Sequence, residues 1–517
     1  MKIKPLIGGI ALAAGAIGLP SPSAVAATTV LEAETAPAVC TGTIDSNWAG
    51  FTGSGFCNGT NATGAYAEFT ANAPAAGTAT VVIRYANGTT TGRPADLVVN
   101  GAAVQSVAFG GTGAWTTWAT TTATVPVRAG NNTIRLSPTS SAGLPNVDNL
   151  SFTPGDSTPP TQNALYVATN GKDSATGTQA DPTTLASALT RVAAGGTIYV
   201  RGGTYDYAQT VTIAPGNNGT SSARKNLSAY PGETPVLNFS AMTEDPANRG
   251  LALNGSFWRV SGLVVQRAGD NGIFVGGSNN IIERVVTRFN RDSGLQISRI
   301  ASDTPKEQWP SNNLVVSSES HDNADSDGED ADGFASKLTS GTGNVFRYDV
   351  SHNNIDDGWD LYTKTDTGPI GPVTIEDSLA YGNGTLTDGS QAGNGDRNGY
   401  KLGGDKIAVD HVVRRSIAYR NGHHGFTYNS NPGTMAISDN VSVDNTERNF
   451  SFDTGTSVFR NNTSCRSGSG SNDKTVGTVD SSNQFWSGTN GSRCSSYAGT
   501  MRWSFAADGR LVVTFGG

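Results

Sequence analysis

A repeated pairing of asparagine with glycine constrains the fold of this chain more than any other feature. Three segments, VVTRFNRDSGLQI, DVSHNNIDDGWDL and SIAYRNGHHGFTY, place an asparagine four residues before a glycine, at Asn290/Gly294, Asn354/Gly358 and Asn421/Gly425. In the intervening segments the same position is taken by Asn323, Asn383 and Asn445. Self-similarity at intervals of about 20 to 40 residues is typical of a solenoid, in which each repeat stacks on the next.

The residues that follow each glycine alternate between two kinds of position. The first and third of them are large and apolar, as in Leu295/Ile297, Trp359/Leu361, Tyr400/Leu402 and Phe426/Tyr428. A period of two indicates a β-strand with one buried face. Because no helical pattern separates these strands, they predict a parallel β-helix whose coils lie about 4.8 Å apart. The asparagines then form a column at one corner, where their amides satisfy the turn backbone.

Aligning the coils on three glycines, Gly333, Gly358 and Gly399, brings charged residues together. Two positions after the glycine, on the outward face, successive coils carry Ala335, Asp360 and Lys401. Just before the glycine they carry Asp332, Asp357 and Asn398. The alignment therefore predicts that Asp360 and Lys401 are neighbours on adjacent coils. Two insertions, ADSDGEDA and GTLTDGSQAGNGDR, are predicted to bulge outward and wall a groove beside the carboxylates.

Four carboxylates are expected to share one small region: Asp332, Asp356, Asp357 and Asp360. Like charges within a few ångströms disfavour each other's ionised form, so a cation is expected among them. Oxygen ligands on loops suit Ca²⁺, and the second half of the chain offers no Cys/His cluster for a softer metal. We therefore expect one calcium ion held by these four aspartates.

Lys401 is the expected base of this site. A lysine beside a dication has a lowered pKa, and its neutral amine then accepts a proton. A calcium that binds a substrate carboxylate acidifies the proton α to it, which in a uronic acid polymer is the proton at C5. An acidic polymer also needs cations along its groove. Three candidates that the spacing does not rank are Arg397, Lys337 and Lys364.

Four stretches of the repeat region resemble the pectate lyases of polysaccharide lyase family nine: DGFASKLT, NVFRYDVSHNNIDDGWDLYTK, GPVTIEDSLAYGNG and NGYKLGG. The resemblance covers about residues 164 to 464. It implies a right-handed parallel β-helix with calcium on the four aspartates and Lys401 as the base. It also implies calcium-dependent β-elimination of de-esterified homogalacturonan, which leaves 4,5-unsaturated galacturonate ends.

Residues 28–153 show a different pattern, typical of a β-sandwich. Short runs such as ATVVIRYA and NTIRLSP alternate apolar and polar residues between turns rich in Gly, Asn and Thr. The stretches LEAE, RYANG, GAWTTW and PNVDNLSF resemble carbohydrate-binding modules of family 35, which implies a jelly-roll fold that binds plant cell-wall glycans. The ligands implied for a structural calcium are Glu32, Glu34 and Asp148. The sugar-binding residues implied are Trp115, Asn146 and Arg93.

The ends of the chain and its composition complete the domain plan. Residues 1–27 combine early lysines, a short apolar run and small residues, the build of a bacterial-type secretory signal peptide, so we expect a secreted protein outside any membrane. The stretch PGDSTPPTQN, residues 154–163, predicts a linker before a β-helix over 164–517. A net charge of −8 offers no basic surface for nucleic acid. We expect a monomer.

The four cysteines fit an oxidising compartment. Three pairings are formally possible. The local one, Cys40 with Cys57 and Cys465 with Cys494, keeps each bridge within one predicted module. We therefore predict these two disulfides.

Two other functions remain open on the sequence alone. A β-helix glycoside hydrolase acting on pectin would use two of the aspartates as acid and base, without calcium. A non-catalytic pectin-binding or cell-wall-binding protein would use both modules and bridge carboxylates through calcium. A chelator would stop a lyase but not the hydrolase. Replacement of Lys401 would stop a lyase but leave the binding protein intact.

Overall fold

The structure is a computed structural model that describes residues 28–73, 77–128, 130–154, 162–391 and 393–516. The chain divides into two compact units, residues 1–160 and 161–517. The predicted signal peptide, residues 1–27, lies outside the described residues. Among the helices of the described ranges, none combines the length and the apolar character that crossing a membrane requires.

The predicted linker, residues 154–163, is partly strand. Strand Asn146–Pro154 reaches its first residue, and strand Gln162–Val167 takes its last two. Both strands pair with a neighbour up to these ends, so sheet pairing outweighs the proline and polar composition there. The intervening residues 155–161 lie outside the described residues.

The first unit is a sandwich of two antiparallel sheets, as predicted. One sheet contains strands Thr29–Glu32, Gly42–Asp45, Phe56–Gly59, Gly77–Ala86, Ala119–Val127 and Asn146–Pro154. The other contains Val39–Cys40, Ala67–Ala73, Ala95–Val99, Ala102–Val107 and Gly130–Pro138. Alternate residues of both sheets, such as Phe69 and Ile83, form a shared core. The predicted disulfide Cys40–Cys57 is present and joins the two sheets.

The second unit is a parallel β-helix with three sheets, which confirms the predicted solenoid. Each coil adds one short strand to each sheet in turn. Sheet 1 contains Gln162–Val167, Val192–Val200, Lys225–Ala229, Trp258–Ser261, Ile281–Glu283, Leu314–Val316, Val345–Arg347, Thr374–Glu376, Val412–Arg414, Ala436–Ser438, Val458–Arg460 and Thr478–Val479. Sheet 2 contains Gly203–Asp206, Pro235–Asn238, Val264–Gln266, Val286–Arg288, Glu319–His321, Val350–His352, Leu379–Tyr381, Ile417–Tyr419, Val441–Val443 and Thr463–Cys465. Sheet 3 contains Val211–Ile213, Leu251–Leu253, Ile273–Val275, Leu295–Ile297, Phe334–Ser336, Trp359–Asp360, Tyr400–Lys401, Phe426–Thr427, Phe450–Phe452 and Lys474–Thr475.

The remaining elements lie around the coils. The α-helix Leu185–Arg191 contributes Leu185 and Leu189 to the core at the first coils. Two 3₁₀-helices span Lys306–Gln308 and Ser492–Tyr497. The second predicted disulfide, Cys465–Cys494, ties the last strand of sheet 2 to the second of these.

Beyond Val479 the chain does not form further coils. Strands Met501–Phe505 and Leu511–Phe515 make an antiparallel hairpin that packs on sheet 2, where Trp503 Nε1 donates to Tyr381 Oη at 3.1 Å. The β-helix predicted to continue to residue 517 therefore ends earlier. The physical reason is that neither asparagine of this segment, Asn483 or Asn490, has a glycine four residues after it, the spacing that builds a coil.

The predicted asparagine column is present at the corner between sheets 2 and 3. Each side-chain amide donates to the side-chain oxygen of the asparagine in the next coil, at 2.8 to 3.0 Å. The column runs through Asn290, Asn323, Asn354, Asn383, Asn421 and Asn445. The residue before each of them has a left-handed φ, between 50° and 63°, which turns the chain at the corner.

Glycine is required beside this column because the next asparagine leaves no room for a Cβ. A Cβ on Gly358 would lie 2.8 Å from Asn383 Nδ2 and 2.5 Å from the carbonyl oxygen of Gly399. A Cβ on Gly399 would lie 2.8 Å from Asn421 Nδ2. The repeated asparagine and glycine are therefore one packing unit, in which each glycine makes room for the amide stacked on it.

Inside the coils, sheet 3 carries a continuous aromatic stack. Successive ring centroids lie 4.6 to 5.1 Å apart along Phe334, Trp359, Tyr400, Phe426 and Phe450. All five side chains are fully buried. Because strand side chains alternate, burial of these rings turns the residues after them, Asp360 and Lys401 included, toward the outside.

Replacing Asn421 with alanine should lower the free energy of unfolding by about 1–3 kcal/mol, because the buried side-chain amide of Asn383 loses its acceptor. Urea denaturation followed by circular dichroism measures the change. Asn170 is exposed, so Asn170→Ala is the control and should change the free energy by less than about 0.5 kcal/mol. Equal effects of the two substitutions would contradict a structural role for the column.

Candidate active site

Sheet 3 places Asp360 and Lys401 side by side. Strands Trp359–Asp360 and Tyr400–Lys401 pair in parallel with Asp360 opposite Lys401, which confirms the predicted register. Both side chains point outward from the coil, yet Asp360 is only 3% exposed and Lys401 only 9%. The surrounding loops therefore shield this pair from most of the water.

Three further aspartates lie beside this pair, in the turns that lead into sheet 3. Asp332, Asp356 and Asp357 are buried, and each offers one carboxylate oxygen within 4.8 Å of the others. Asn398 N donates to Asp357 Oδ1 at 2.6 Å, and Arg397 N donates to Asp356 Oδ1 at 3.1 Å. Oxygen ligands lie about 2.3–2.6 Å from Ca²⁺, so oxygens this close together fit one shared ion.

Two lysines lie among the carboxylates. Lys337 Nζ is 2.7 Å from Asp332 Oδ2 and 3.4 Å from Asp360 Oδ2. Lys401 Nζ is 3.3 Å from Asp357 Oδ2 and 4.0 Å from Asp360 Oδ2. The sequence indicated Lys337 only as a candidate for the groove, whereas the structure places it as a buried ion-pair partner of the aspartates.

Asp396 is a contact of the site that the sequence did not indicate. Its Oδ2 lies 2.9 Å from Lys401 Nζ, and its side chain is half exposed. Its backbone carbonyl faces His423 Nδ1 at 3.1 Å. Asp396 belongs to the second insertion, where no strand period predicts the direction of a side chain.

Burial shifts the protonation of the whole cluster. It raises the pKa of Asp332 to about 7 and the pKa of Asp357 to about 8, and it holds the pKa of Asp356 well above its usual range. Burial alone would lower the pKa of Lys401, but the carboxylates around it, Asp360 foremost, outweigh that effect and raise it. The cluster therefore retains protons that a bound cation would displace.

Two buried carboxylate oxygens of the cluster have no hydrogen-bond partner among the described residues: Asp357 Oδ2 and Asp360 Oδ1. Asp357 Oδ2 has only its ion-pair contact with Lys401, and a buried carboxylate oxygen that accepts no hydrogen bond is costly and indicates a ligand site. The atoms of these aspartates that could bind a metal are all carboxylate oxygens, which suit a hard cation such as Ca²⁺. Asp332, Asp356 and Asp357 therefore fit one shared ion, and Asp360, the fourth aspartate expected to bind calcium, lies beside them; its role as a ligand stays a prediction.

The two insertions meet beside the cluster. Asn394 Nδ2, in the second insertion, donates to the carbonyl oxygen of Asp327 in the first at 3.1 Å. The second insertion also supplies the backbone amide of Arg397 to Asp356. They therefore lie on one side of the carboxylates, as predicted for a groove wall.

The other two groove candidates occupy different places. Arg397 has a left-handed φ of 60°, and its side chain packs beside Gly384 and Gly422. Lys364 is exposed and lines a cleft next to sheet 3. A contact of either residue with a substrate stays a prediction.

In the first unit, the expected ligands of a structural calcium lie around one loop. Thr52 N donates to Asp148 Oδ1 at 3.0 Å, and Thr52 Oγ1 donates to Glu32 Oε2 at 3.0 Å. Burial raises the pKa of Glu32, and the charges of Asp148 and Glu34 add to that rise. Glu34 Oε2 is buried without a hydrogen-bond partner in the described part of the chain. Glu32, Glu34 and Asp148 therefore fit a cation, although Arg84, which the sequence did not indicate, also pairs with Asp148.

The expected sugar-binding residues of the first unit also lie close together. The Arg93 guanidinium is 5.4 Å from the ring centroid of Trp115, and Arg93 Nη1 donates to the carbonyl oxygen of Leu144 at 2.8 Å. Trp115 is only half-buried, unlike the core of the sandwich. Asn146, two positions after Leu144, is buried at the start of its strand.

Replacing Lys337 with methionine should lower the free energy of unfolding by about 3–5 kcal/mol, because Asp332 and Asp360 stay buried without their partner. Urea unfolding at neutral pH in excess chelator measures the loss. Lys364→Met is the matched control, since Lys364 is exposed, and it should cost less than about 0.5 kcal/mol. A Lys337→Met protein as stable as the control would show that the buried pair contributes nothing.

Comparison with known proteins relates both units to described families. Residues 165–463 match the family profile "Pel9A-like, right handed beta helix region", and residues 33–154 match "Carbohydrate binding module (family 6)". Pectate lyase L of Paenibacillus polymyxa (strain SC2) is 56% identical over 324 residues, which are 62% of this chain and 72% of that protein. Pectate lyase L of Thermoclostridium stercorarium is 45% identical over 290 residues, 56% of this chain and 23% of that protein.

Two solved structures are similar to parts of this chain. Pectate lyase Pel9A is 30% identical with a TM-score of 0.56, and the match covers 65% of this chain and 83% of that one. A family 35 carbohydrate-binding module from Cellvibrio japonicus is 45% identical with a TM-score of 0.25, over 25% of this chain and 94% of that one. The chain belongs to the Pel9A-like pectate lyases of polysaccharide lyase family nine, which have a right-handed β-helix, and carries a carbohydrate-binding module before it.

Proposed function

We propose that this protein is a secreted, calcium-dependent pectate lyase that cleaves de-esterified homogalacturonan by β-elimination and leaves 4,5-unsaturated galacturonate ends. The observation that carries the proposal is the position of Lys401 Nζ, 3.3 Å from Asp357 Oδ2 within a buried group of carboxylates that fits a dication. This arrangement sets a base beside a site for a substrate carboxylate. The pectate lyases among its relatives support the same reaction class.

In the proposed reaction, Asp332, Asp356, Asp357 and Asp360 would hold a calcium ion. When bound, Ca²⁺ would supply positive charge that binds the galacturonate carboxylate and makes the C5 proton more acidic. Lys401 Nζ accepts that proton, while Asp396, 2.9 Å away, keeps the amine in position. The electron pair of the C5–H bond forms the C4–C5 double bond as the bond from C4 to the glycosidic oxygen breaks, and the leaving oxygen takes a proton from solvent.

Lys401 must be neutral to act as this base. Burial lowers its pKa, but the carboxylates of Asp360, Asp357 and Asp356 outweigh that effect, raise the pKa and keep Lys401 protonated. These carboxylates are also the proposed metal ligands, so a bound dication would weaken the attraction that holds the proton on Lys401. The residues that would hold the ion are therefore the same ones that set the pKa of Lys401.

Polygalacturonate incubated with the protein and calcium should develop the ultraviolet absorbance of an unsaturated uronate, and excess chelator should abolish it. Lys401→Ala should reduce the rate by at least about 100-fold, because general base catalysis contributes about that much. Arg502→Ala, on the exposed hairpin, is the control and should leave the rate unchanged. Chain shortening without the absorbance band would mean hydrolysis and would overturn the proposal.

The pH profile provides an independent reading of the same base. Because Lys401 has to lose its proton before it accepts another, the initial rate should rise from neutral toward alkaline pH. A rate that falls steadily above neutrality would exclude Lys401 as the base.

The first unit is proposed to hold the enzyme on pectic or other plant cell-wall polysaccharides and thereby raise its local concentration. Trp115 and Arg93 form the proposed contact, with Asn146 nearby, and Glu32, Glu34 and Asp148 hold a structural calcium. An arginine beside an aromatic ring suits an acidic sugar.

Arg93→Ala in the full chain should weaken retention on insoluble pectic polysaccharide, because the guanidinium is the one cation at this proposed contact. Initial rates on a soluble oligogalacturonate should stay the same, since that substrate needs no anchoring. Pull-down with the insoluble polymer measures retention, and Arg128→Ala, an exposed position of the same unit, is the control. Unchanged retention would remove Arg93 from the proposed sugar site.

A further inference from the structure

The outward face of sheet 3 continues beyond Lys401 as a row of side chains in register. Asp360 pairs with Ala335, Ala335 with Gln296, and Gln296 with Phe274 on successive coils. With coils about 4.8 Å apart, Phe274 lies about 19 Å from Lys401 along this row. The row therefore forms a surface on which an extended sugar chain can lie, and several sugars are needed to span it.

Arg249 covers the far end of this row. Its guanidinium carbon lies 3.5 Å from the ring centroid of Phe274, and that ring is only 1% exposed. An arginine stacked in this way holds its fork in a fixed plane. Burial of the ring beneath it means that Arg249, rather than Phe274, presents the surface of the row at this point.

The guanidinium of Arg249 has few hydrogen-bond acceptors near it in the described part of the chain. Its ion-pair contact in the described residues is Asp270 Oδ2, which lies 3.5 Å from Nε, beyond the usual hydrogen-bond distance. Nε is buried and has no hydrogen-bond partner there. A buried donor normally finds an acceptor, and the long contact with Asp270 does not complete a hydrogen bond, so the Arg249 guanidinium can still bind a ligand that supplies one.

The surroundings of Arg249 define the charge of that ligand. Arg249 and Phe274 line a cleft of about 460 Å³ together with Gln296, Arg299 and Lys364. Among the residues that line it, three are cationic and one, Asp366, is acidic; Asp270, which contacts Arg249 but does not line the cleft, offsets one further positive charge. The cleft is thus locally positive, although the protein as a whole is acidic.

We propose that Arg249 forms a distal subsite that binds the carboxylate of a uronate residue several sugars away from the cleavage point. The fork of the guanidinium matches a carboxylate with two parallel hydrogen bonds, and its stacking on Phe274 reduces the entropy lost on binding. The subsite deepens the proposed function and rests on it. It makes the enzyme favour long polyuronate chains over short oligomers.

Two measurements test the subsite. In initial-rate kinetics, Arg249→Gln should raise the KM for hexagalacturonate about tenfold with kcat retained, because a charged hydrogen-bonded contact is lost. For trigalacturonate, too short to reach from Lys401 to Arg249, kcat/KM should change by less than about twofold. In isothermal titration of hexagalacturonate with calcium, Arg249→Gln in a Lys401→Ala background should weaken binding about tenfold.

The controls separate a subsite from a general loss of structure. Arg249→Lys keeps the charge but not the fork and should fall between the wild type and Arg249→Gln. Arg502→Gln changes an exposed arginine of the C-terminal hairpin and should leave every value unchanged. Thermal unfolding checks that each variant is folded, and if Arg249→Gln is not, Arg249→Lys is judged by the same criteria with a smaller expected loss.

Each outcome decides one of the two proposals. Equal losses on the trimer and the hexamer, or no loss on either, overturn the distal subsite while the lyase stands. A wild type that releases no unsaturated product overturns the proposed function. Weaker binding of hexagalacturonate by Arg249→Gln in the Lys401→Ala background still supports a polyuronate subsite in that case, because that measurement does not depend on catalysis.

Discussion

The column of buried asparagine amides fixes the register of the coils, and the site depends on that register. A shift of one residue in a strand turns every outward side chain inward. Such a shift would bury Asp360 and Lys401 in place of the aromatic rings of Trp359 and Tyr400. The amide column opposes it because each buried amide has one correctly placed acceptor, and an unpaired amide is costly there. Polar contacts at the corner between sheets 2 and 3 thus help to position Asp360 and Lys401, which lie on sheet 3 and not at that corner.

Two lysines balance the negative charge of the aspartates, and the surroundings of these two lysines differ. Lys337 bonds the fully buried Asp332, and that carboxylate helps to raise the pKa of Lys337 well above its usual range. Lys401 instead contacts the half-exposed Asp396, on the side where the insertions meet. Lys337 therefore neutralises the interior of the cluster, while Lys401 lies on the side where the two insertions meet. This difference in position favours Lys401 over Lys337 as the proposed proton acceptor.

The adjacency of Asp360 and Lys401 could be predicted from the sequence because it follows from local patterns: a period of two and a repeated glycine. The same patterns do not predict where the side chain of Lys337 lies. This residue is one position past the end of strand Phe334–Ser336, where alternation no longer applies. They do not predict the position of Asp396 either, because an insertion has no regular alternation of side chains. At two of the six corners, Phe289 and Arg420, the left-handed φ carries no compositional signal either, whereas Asp322, Asn353, Gly382 and Asp444 are residue types that favour it. Pairing within a regular coil was predictable, and contacts made by irregular segments were not.

An acidic protein that binds an acidic polymer has to do so locally. The net charge of −8 repels a polyuronate at long range, but salt screens that repulsion beyond about 8 Å. What remains are the charges within the groove, and these change along the outward row of sheet 3. Around Asp360 the row is negative and fits a cation, whereas around Arg249 the cleft carries an excess of cationic side chains. Under the proposed function, a polyuronate long enough to span the row meets both environments, so we expect it to bind more tightly than a short oligomer.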